Sequence, residues 1–183
     1  MDSAKRVIYP PEHPGHRTIF VEKYTRDRQK YNNNFNYSTM DGMNEVIDGI
    51  FIGDDLSSSD IPVLASNDIK NVLCMAEEHD INDNTNINYI KYGVFDGHLL
   101  PKRVLMECIE EIYRAVKAGE KILVHCLAGI SRSATIVIAY LIKHKNMGFQ
   151  EALNFVRTVR PCVSPHPLML WSLIDDFGDN FKE

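Results

Sequence analysis

LVHCLAGISRSATIVIAYLI, residues 123–142, holds three kinds of local order in twenty positions. KILVH, at 121–125, is an apolar run of strand length that ends on His125. CLAGISR reads as a loop with a glycine inside it, and SATIVIAYLI is apolar nearly all round, as in a helix buried on every side. A loop joining a strand's end to a helix's start turns several backbone N–H groups toward the positive end of the helix dipole. That makes a cradle for a dianionic phosphate. Gly129 lets the backbone curl there without steric penalty.

Cys126 and Arg132 stand at the two ends of this loop with five residues between them. An arginine in the first helical turn holds two phosphate oxygens bidentately, which a lysine's point charge does less well. The same N–H groups and cation stabilise a thiolate, and a cysteine so placed has its pKa lowered from about 8.5 into the range of roughly 3.5 to 7.5. A value near 5 raises the ionised fraction at neutral pH on the order of thirtyfold, worth about 2 kcal/mol. The plain alternative, a core cysteine beside a surface arginine, leaves unexplained why His-Cys-x5-Arg-Ser, the glycine and the strand-to-helix setting occur together.

Outward from this segment, EVIDGIFIG (45–53) reads as a strand pair turning at Gly49, and DIPVLASNDI (60–69) as a helix entered at Ser59 or Asp60. Asn71 to Met75 suits a buried strand, and NYIKYGVFD (88–96) another, with an Asn- and Asp-rich turn at 81–86 between them. Pro101 opens a helix whose Val104, Leu105, Cys108, Ile109, Ile112, Tyr113 and Val116 recur at three- and four-residue spacing, ending at Gly119. Two further helices are expected at about 149–160 and 166–177. Strands interleaved with helices predict an α/β fold: a central, mostly parallel sheet of four to five strands flanked by helices. Trp171 and its Met and Leu neighbours are expected in the core.

With 183 residues, 44% of them hydrophobic, the chain suits one domain with an appendage. A net charge of -5 argues against nucleic-acid binding, which draws on clustered Lys and Arg. Cysteines at 74, 108, 126 and 162 have neither zinc-site spacing nor the density of a disulfide scaffold, so a reducing compartment, cytoplasmic or nuclear, is expected. No stretch reads as a signal peptide or membrane span. Residues 1–43 are rich in Pro, His, Asn and charge, lack a sustained apolar period, and read as an extension to a catalytic domain at 44–183. Tyr24, Tyr31, Phe35 and Tyr37 offer anchors, either across the body or for a homodimer; disorder is the alternative. Lys5, Arg6, Val7 and Ile8 faintly follow the basic-then-apolar order of a kinase docking peptide.

LVHCLAGISRSATIVIAYLI closely resembles the phosphate loop and following helix of the dual-specificity branch of the protein tyrosine phosphatase superfamily. IDGIFIGDD resembles that family's opening strand, DIKNVLCMAEE the strand after its first helix, and EALNFVRTVRP with the following SP its helix and turn beyond the active site. The resemblance covers roughly 44–177. It implies Cys126 as the nucleophile of a phosphocysteine intermediate, Arg132 as phosphate clamp, and Ser133 as the hydroxyl that eases thiolate departure. Leu127, Ala128, Gly129, Ile130 and Ser131 would supply N–H groups, and His125 would orient the loop and keep the thiolate ionised, or serve structurally. Asp96 in VFDGHLLP would be the general acid and then base, with Asp83 and Asp80 as competitors. No metal or other cofactor is implied.

The chain departs from the family at SPHPLMLW, where His166 replaces a usual asparagine, which puts the loop's support in question. It is too short for the aromatic recognition loop of tyrosine-specific relatives, so a shallow pocket open to phosphotyrosine, phosphoserine and phosphothreonine of phosphoprotein substrates is implied. RNA 5′-triphosphatase and phosphoinositide phosphatase are the rival activities, and both should want cations inside the loop, where 127–131 supply none. A phosphoprotein-binding pseudophosphatase is the rival without catalysis. Cys74 sits where the superfamily's tumour-suppressor lipid phosphatase has a cysteine that pairs with its nucleophile on oxidation, which implies the same pairing with Cys126; a buried apolar role is the alternative. Cys108 and Cys162 read as structural.

Overall fold

KILVH forms β5 (Lys121–His125), the middle strand of a five-stranded sheet, and its residues after Lys121 are all buried. β2 (Ile50–Gly53) and β3 (Ile69–Ala76) flank it in parallel. β4 (Asn88–Val94) pairs in parallel with β3 at one edge, and β1 (Met43–Ile47) pairs antiparallel with β2 at the other. The order β1-β2-β5-β3-β4 is the mostly parallel sheet expected from the interleaved pattern. The computed structural model describes residues 15–34, 42–80 and 86–178, with side chains from Val21 onward in the first segment. Residues 5–8, Phe35, Tyr37, Asp83 and most of the 81–86 turn lie outside the described residues.

Alternate residues of β5 serve two cores, as the period of a strand requires. Ile122 and Val124 face the larger, built with α4 (Lys102–Lys117), α5 (Arg132–Lys145), α6 (Phe149–Val159) and α7 (Pro167–Phe177). Leu123 faces the smaller, with Phe51, Leu64, Ile69 and Val72. Every residue of α5 from 132 to 142 is buried, so a sequence apolar nearly all round reflects packing on all sides. Trp171 is wholly buried, and Cys108 and Cys162 are in the core as expected. Among the described residues no helix is long and apolar enough to cross a membrane.

Three features differ from the sequence expectation. GDDLSSSD contributes a separate short helix, α2 (Asp55–Ser59), before α3 (Ile61–Ser66). Each is opened by an aspartate: Asp54 accepts from the Ser57 N–H at 2.8 Å and Asp60 from the Val63 N–H at 3.1 Å. Capping, not an apolar stripe, makes α2. Second, β1 starts at Met43, paired with Gly53, so the expected division at 43/44 falls on the first residue of the sheet.

Third, the extension, read as lacking a sustained apolar period, contains α1 (Gly15–Asn33), packed against α7, with Tyr24 and Tyr31 among the anchors that lay it across the body. Of its described side chains only Val21 and Tyr24 are buried, while Arg28 and Tyr31 on the same stripe reach carbonyls of the body with polar tips. A face that is half polar leaves no hydrophobic period to read.

Candidate active site

The loop between β5 and α5 is defined by where its carbonyls go. Cys126 O lies 3.3 Å from His125 Nδ1, and Leu127 O accepts from the Asp55 N–H at 3.0 Å. Ala128 O and Gly129 O accept from Arg160 Nη2 and Nε at 3.1 and 2.9 Å. Ile130 O accepts from the Ser164 N–H at 2.9 Å, and Ser131 O from the Thr135 N–H and hydroxyl, each at 2.9 Å. In a planar trans peptide the C=O of one residue and the N–H of the next point in opposite directions. Tying the carbonyls from Cys126 to Ser131 to the surrounding body therefore turns the N–H groups of 127–132 the other way, into the bend. Such a bend has the form an anion cradle needs, and its physical cause is a set of donors outside the loop.

Arg160, wholly buried, also donates from Nη1 to Gly42 O at 3.0 Å and Asn44 Oδ1 at 2.8 Å, fastening the loop to the start of β1. Sequence reading passed over it. The signal available was a charged residue closing an amphipathic helix immediately before Pro161, and that does not reveal burial. Gly129 has φ 63, and a Cβ there would lie 2.6 Å from both Arg160 Nη2 and Gly53 O. Conformation and space both demand glycine.

Cys126, only 2% exposed, places its Sγ 3.3 Å from Ser133 Oγ, the hydroxyl that opens the helix. Arg132, the first residue of α5, ends the same bend. Its guanidinium is gripped by Glu78, with Nη1 to Oε2 at 2.7 Å and Nη2 to Oε1 at 2.8 Å, and Nη1 also donates to Val94 O at 3.0 Å. A guanidinium has five N–H donors in a fixed fork. These bonds use the Nη1/Nη2 edge and the outer side of Nη1. The Nε–H, which has no partner among the described residues, and the second Nη2–H remain together on one edge, the geometry that grips an anion bidentately. Burial opposes the charge of Arg132, but Glu78, Cys126 and Asp96 outweigh it and raise its pKa. The hydrogen bond from Arg132 holds the Glu78 carboxyl below its ordinary range. Glu78 was not singled out in the sequence; its partner lies on another element.

Asp96 is exposed in the turn directly after β4, where its charge bears on both Arg132 and His166 and the next residue, Gly97, lies against the His166 ring. Gly97, φ 73, shapes that turn. Asp80 is exposed beyond the end of β3. His166 supports the loop through its main chain: its N–H donates to Ser131 Oγ at 3.0 Å, a bond that most residue types supply. Its ring caps α7, Nδ1 accepting from the Leu168 N–H at 3.2 Å. Cys74 pairs in register with His125 across β3 and β5, one strand away from Cys126. Burial pushes its thiol pKa up, as it does for Cys108 and Cys162. Leu127 and Ala128 are exposed at the loop's outer rim.

His125 is wholly buried, packed edge-on to His79 with ring centroids 5.0 Å apart. Burial first, then the neighbouring His79, pushes its pKa down to about 4. It therefore acts on the loop at neutral pH as an uncharged ring beside the Cys126 carbonyl, which supports orientation and leaves no positive charge to hold a thiolate.

A cysteine and an arginine at the two ends of a strand-to-helix bend whose carbonyls are tied outward are the elements of a cysteine-based phosphatase site. A family profile described as "Dual specificity phosphatase, catalytic domain" matches residues 50–176, and the chain belongs to that family. Mouse dual specificity protein phosphatase 15 is 35% identical over 140 residues, covering 75% of this chain and 58% of that protein. Human dual specificity protein phosphatase 22 is 34% identical over 129 residues, 68% of each chain. The crystal structure of DUSP15 superposes with a TM-score of 0.70 at 29% identity, covering 77% of this chain and 91% of that one. The chain thus spans little more than half the length of the mouse relative.

Two outcomes follow from this geometry. Gly129→Ala should destabilise the fold by at least about 2 kcal/mol, lowering the melting temperature by about 4–8 °C. In the unfolded chain His125 titrates near 6.5, whereas the native state holds it near 4, so the unfolded state takes up this proton first as pH falls. Its contribution is a loss of stability from about pH 6.5 to about 4, amounting to about 3 kcal/mol and levelling off below. Urea unfolding across that range should show a flatter pH dependence in His125→Asn; an unchanged profile would place the titration elsewhere.

Proposed function

We propose that this chain is a protein phosphatase that hydrolyses phosphotyrosine and phosphoserine/phosphothreonine through a phosphocysteine intermediate. What supports the proposal is the outward tying of the loop carbonyls, which turns the N–H groups of the bend away from the body, together with the Glu78 and Val94 bonds that leave the Nε/Nη2 edge of Arg132 for a tetrahedral anion. In the first step the Cys126 thiolate attacks phosphorus. The bond from phosphorus to the substrate oxygen breaks, and Asp96 delivers its proton to that leaving oxygen. The cradle and Arg132 stabilise the charge on the equatorial oxygens as the group is transferred. In the second step Asp96, now a carboxylate, takes a proton from water as the water attacks the phosphocysteine. The sulfur leaves as thiolate, stabilised by the Ser133 hydroxyl 3.3 Å away, and inorganic phosphate is released.

Substrate breadth follows from the rim. Exposed Leu127 and Ala128, together with Ile130, present no cation from inside the loop, which favours a single phosphomonoester on a protein over a polyphosphate or an inositol headgroup. The second phosphate pKa near 6 makes each phosphoamino acid largely dianionic at pH 7.

Cys126→Ser should abolish release of phosphate from phosphopeptides while retaining their binding; turnover persisting in that variant removes the mechanism. Asp96→Asn should lower kcat by about a hundredfold or more, and more severely for phosphoserine peptides than for an aryl phosphate, whose leaving oxygen needs less protonation. Faster release from triphosphorylated RNA or a phosphoinositide than from phosphopeptides would replace the substrate class while keeping the chemistry.

Cys74 belongs to the same reading as the resolving thiol. Peroxide oxidises Cys126 to a sulfenic acid, Cys74 displaces water from it, and a disulfide protects the nucleophile from irreversible oxidation. Its position beside His125 in the β3–β5 register supports this. After mild peroxide, mass spectrometry should find a Cys74–Cys126 peptide and recovery of activity with thiol; sulfinic Cys126 with unmodified Cys74 rejects the pairing.

A further inference from the structure

The irregular segment between α6 and α7 is gripped from two sides. Toward the active site it supports the loop: Ser164 N–H donates to Ile130 O at 2.9 Å, and His166 N–H to Ser131 Oγ at 3.0 Å. From the opposite side α1 holds the same stretch. Tyr24 OH donates to Pro165 O at 2.7 Å, Arg28 Nε and Nη2 both donate to Ser164 O at 3.2 Å, and Tyr31 OH donates to Pro161 O. The Tyr24 ring is 6% exposed and meets Phe149 edge-on at 5.8 Å. Arg157 stacks its guanidinium 3.9 Å over the Tyr31 ring while donating from Nε to Val163 O at 2.9 Å.

Ser164 is the joint of this arrangement, its N–H bonded into the loop and its carbonyl to α1. Segment 160–166 lies in no helix or strand, so no backbone ladder fixes the direction of its donors. Tyr24, Arg28 and Tyr31 recur along one stripe of α1, and all three reach carbonyls of this one segment. All three precede the part of the chain that the family profile matches.

We infer that α1 is a brace of the phosphate loop, in which Tyr24, Arg28 and Tyr31 are positioning residues acting on the loop through the main chain of Ser164 and Pro165. The inference rests on the phosphatase reading for its catalytic consequence. Its structural content, that the order of the loop depends on α1, is measurable without turnover.

The experiment uses the full chain with Arg28→Ala, Arg28→Lys and the double variant Tyr24→Phe/Tyr31→Phe, which removes two hydroxyls and keeps both rings. Three quantities are compared with the unaltered protein at pH 7: kcat and KM on an aryl phosphate, the rate of Cys126 alkylation by iodoacetate, and the protection from alkylation given by inorganic phosphate. Arg28→Ala should lower kcat/KM and weaken phosphate protection by about tenfold, with unchanged circular dichroism. Arg28→Lys should recover much of the loss, since Ser164 O needs a single cationic donor. The double variant should shift all three quantities in the same direction. If Arg28→Ala does not fold, the double variant, with its rings still packed, decides. A lower melting temperature with alkylation, protection and kcat all unaltered would overturn the inference, leaving α1 as a support of the fold alone. An unaltered protein inert toward the aryl phosphate would sink the phosphatase reading instead, and the alkylation and protection measurements would still decide on α1.

Discussion

The whole site depends on keeping six consecutive loop carbonyls turned away from the bend. A free loop would hydrate its carbonyls and N–H groups alike, and would present an anion with as much negative dipole as positive. Here the carbonyls from Cys126 to Ser131 meet donors from His125, Asp55, Arg160, Ser164 and Thr135. Peptide planarity then decides the direction of the N–H groups without any further interaction. Arg160 carries two of these bonds from a wholly buried position, which is tolerable because its donors meet carbonyls and an amide oxygen at hydrogen-bonding distance. Removing that side chain would leave buried acceptors unpaired and release the middle of the loop at once.

Two buried guanidiniums thus serve the loop. Among the described residues Arg160 donates to carbonyls and an amide oxygen and shapes the backbone. Arg132 is paired with a carboxylate that is itself well exposed, 40% against 5% for the arginine side chain. The solvated partner limits what the pair contributes to stability, because water screens it. Its geometric effect is larger: Glu78 and the Val94 carbonyl fix the plane of the fork, so the edge left over is the one directed at an anion. A chain with net charge -5 concentrates cationic groups where the chemistry requires them.

How much of this was legible beforehand follows the range of the interactions. KILVH, the glycine-bearing loop and SATIVIAYLI encode their states locally, by length, apolar period and backbone freedom, and the strand, bend and buried helix stand where the pattern put them. Leu105, Cys108, Ile109 and Ile112 declare their helix face the same way. Asp55, Glu78 and Arg160 were missed as parts of the site because each acts on a residue dozens of positions away, through a contact that leaves no periodic mark. The His166 departure had less effect than its place in the motif suggested, since the supporting bond comes from its main chain. For His125 the residue type showed a titratable ring, but only packing against His79 and the sheet shows that it stays neutral.

α1 joins these two lessons. Its inner stripe is read poorly because Arg28 and Tyr31 are polar-tipped, and that same feature lets the stripe bond carbonyls that an apolar face would have left unsatisfied. Its docking and the order of the loop share Ser164, so they are thermodynamically linked. An anion that favours the ordered loop must favour docked α1 by the same free energy, and whatever draws α1 off the body must weaken the anion's hold to the same extent.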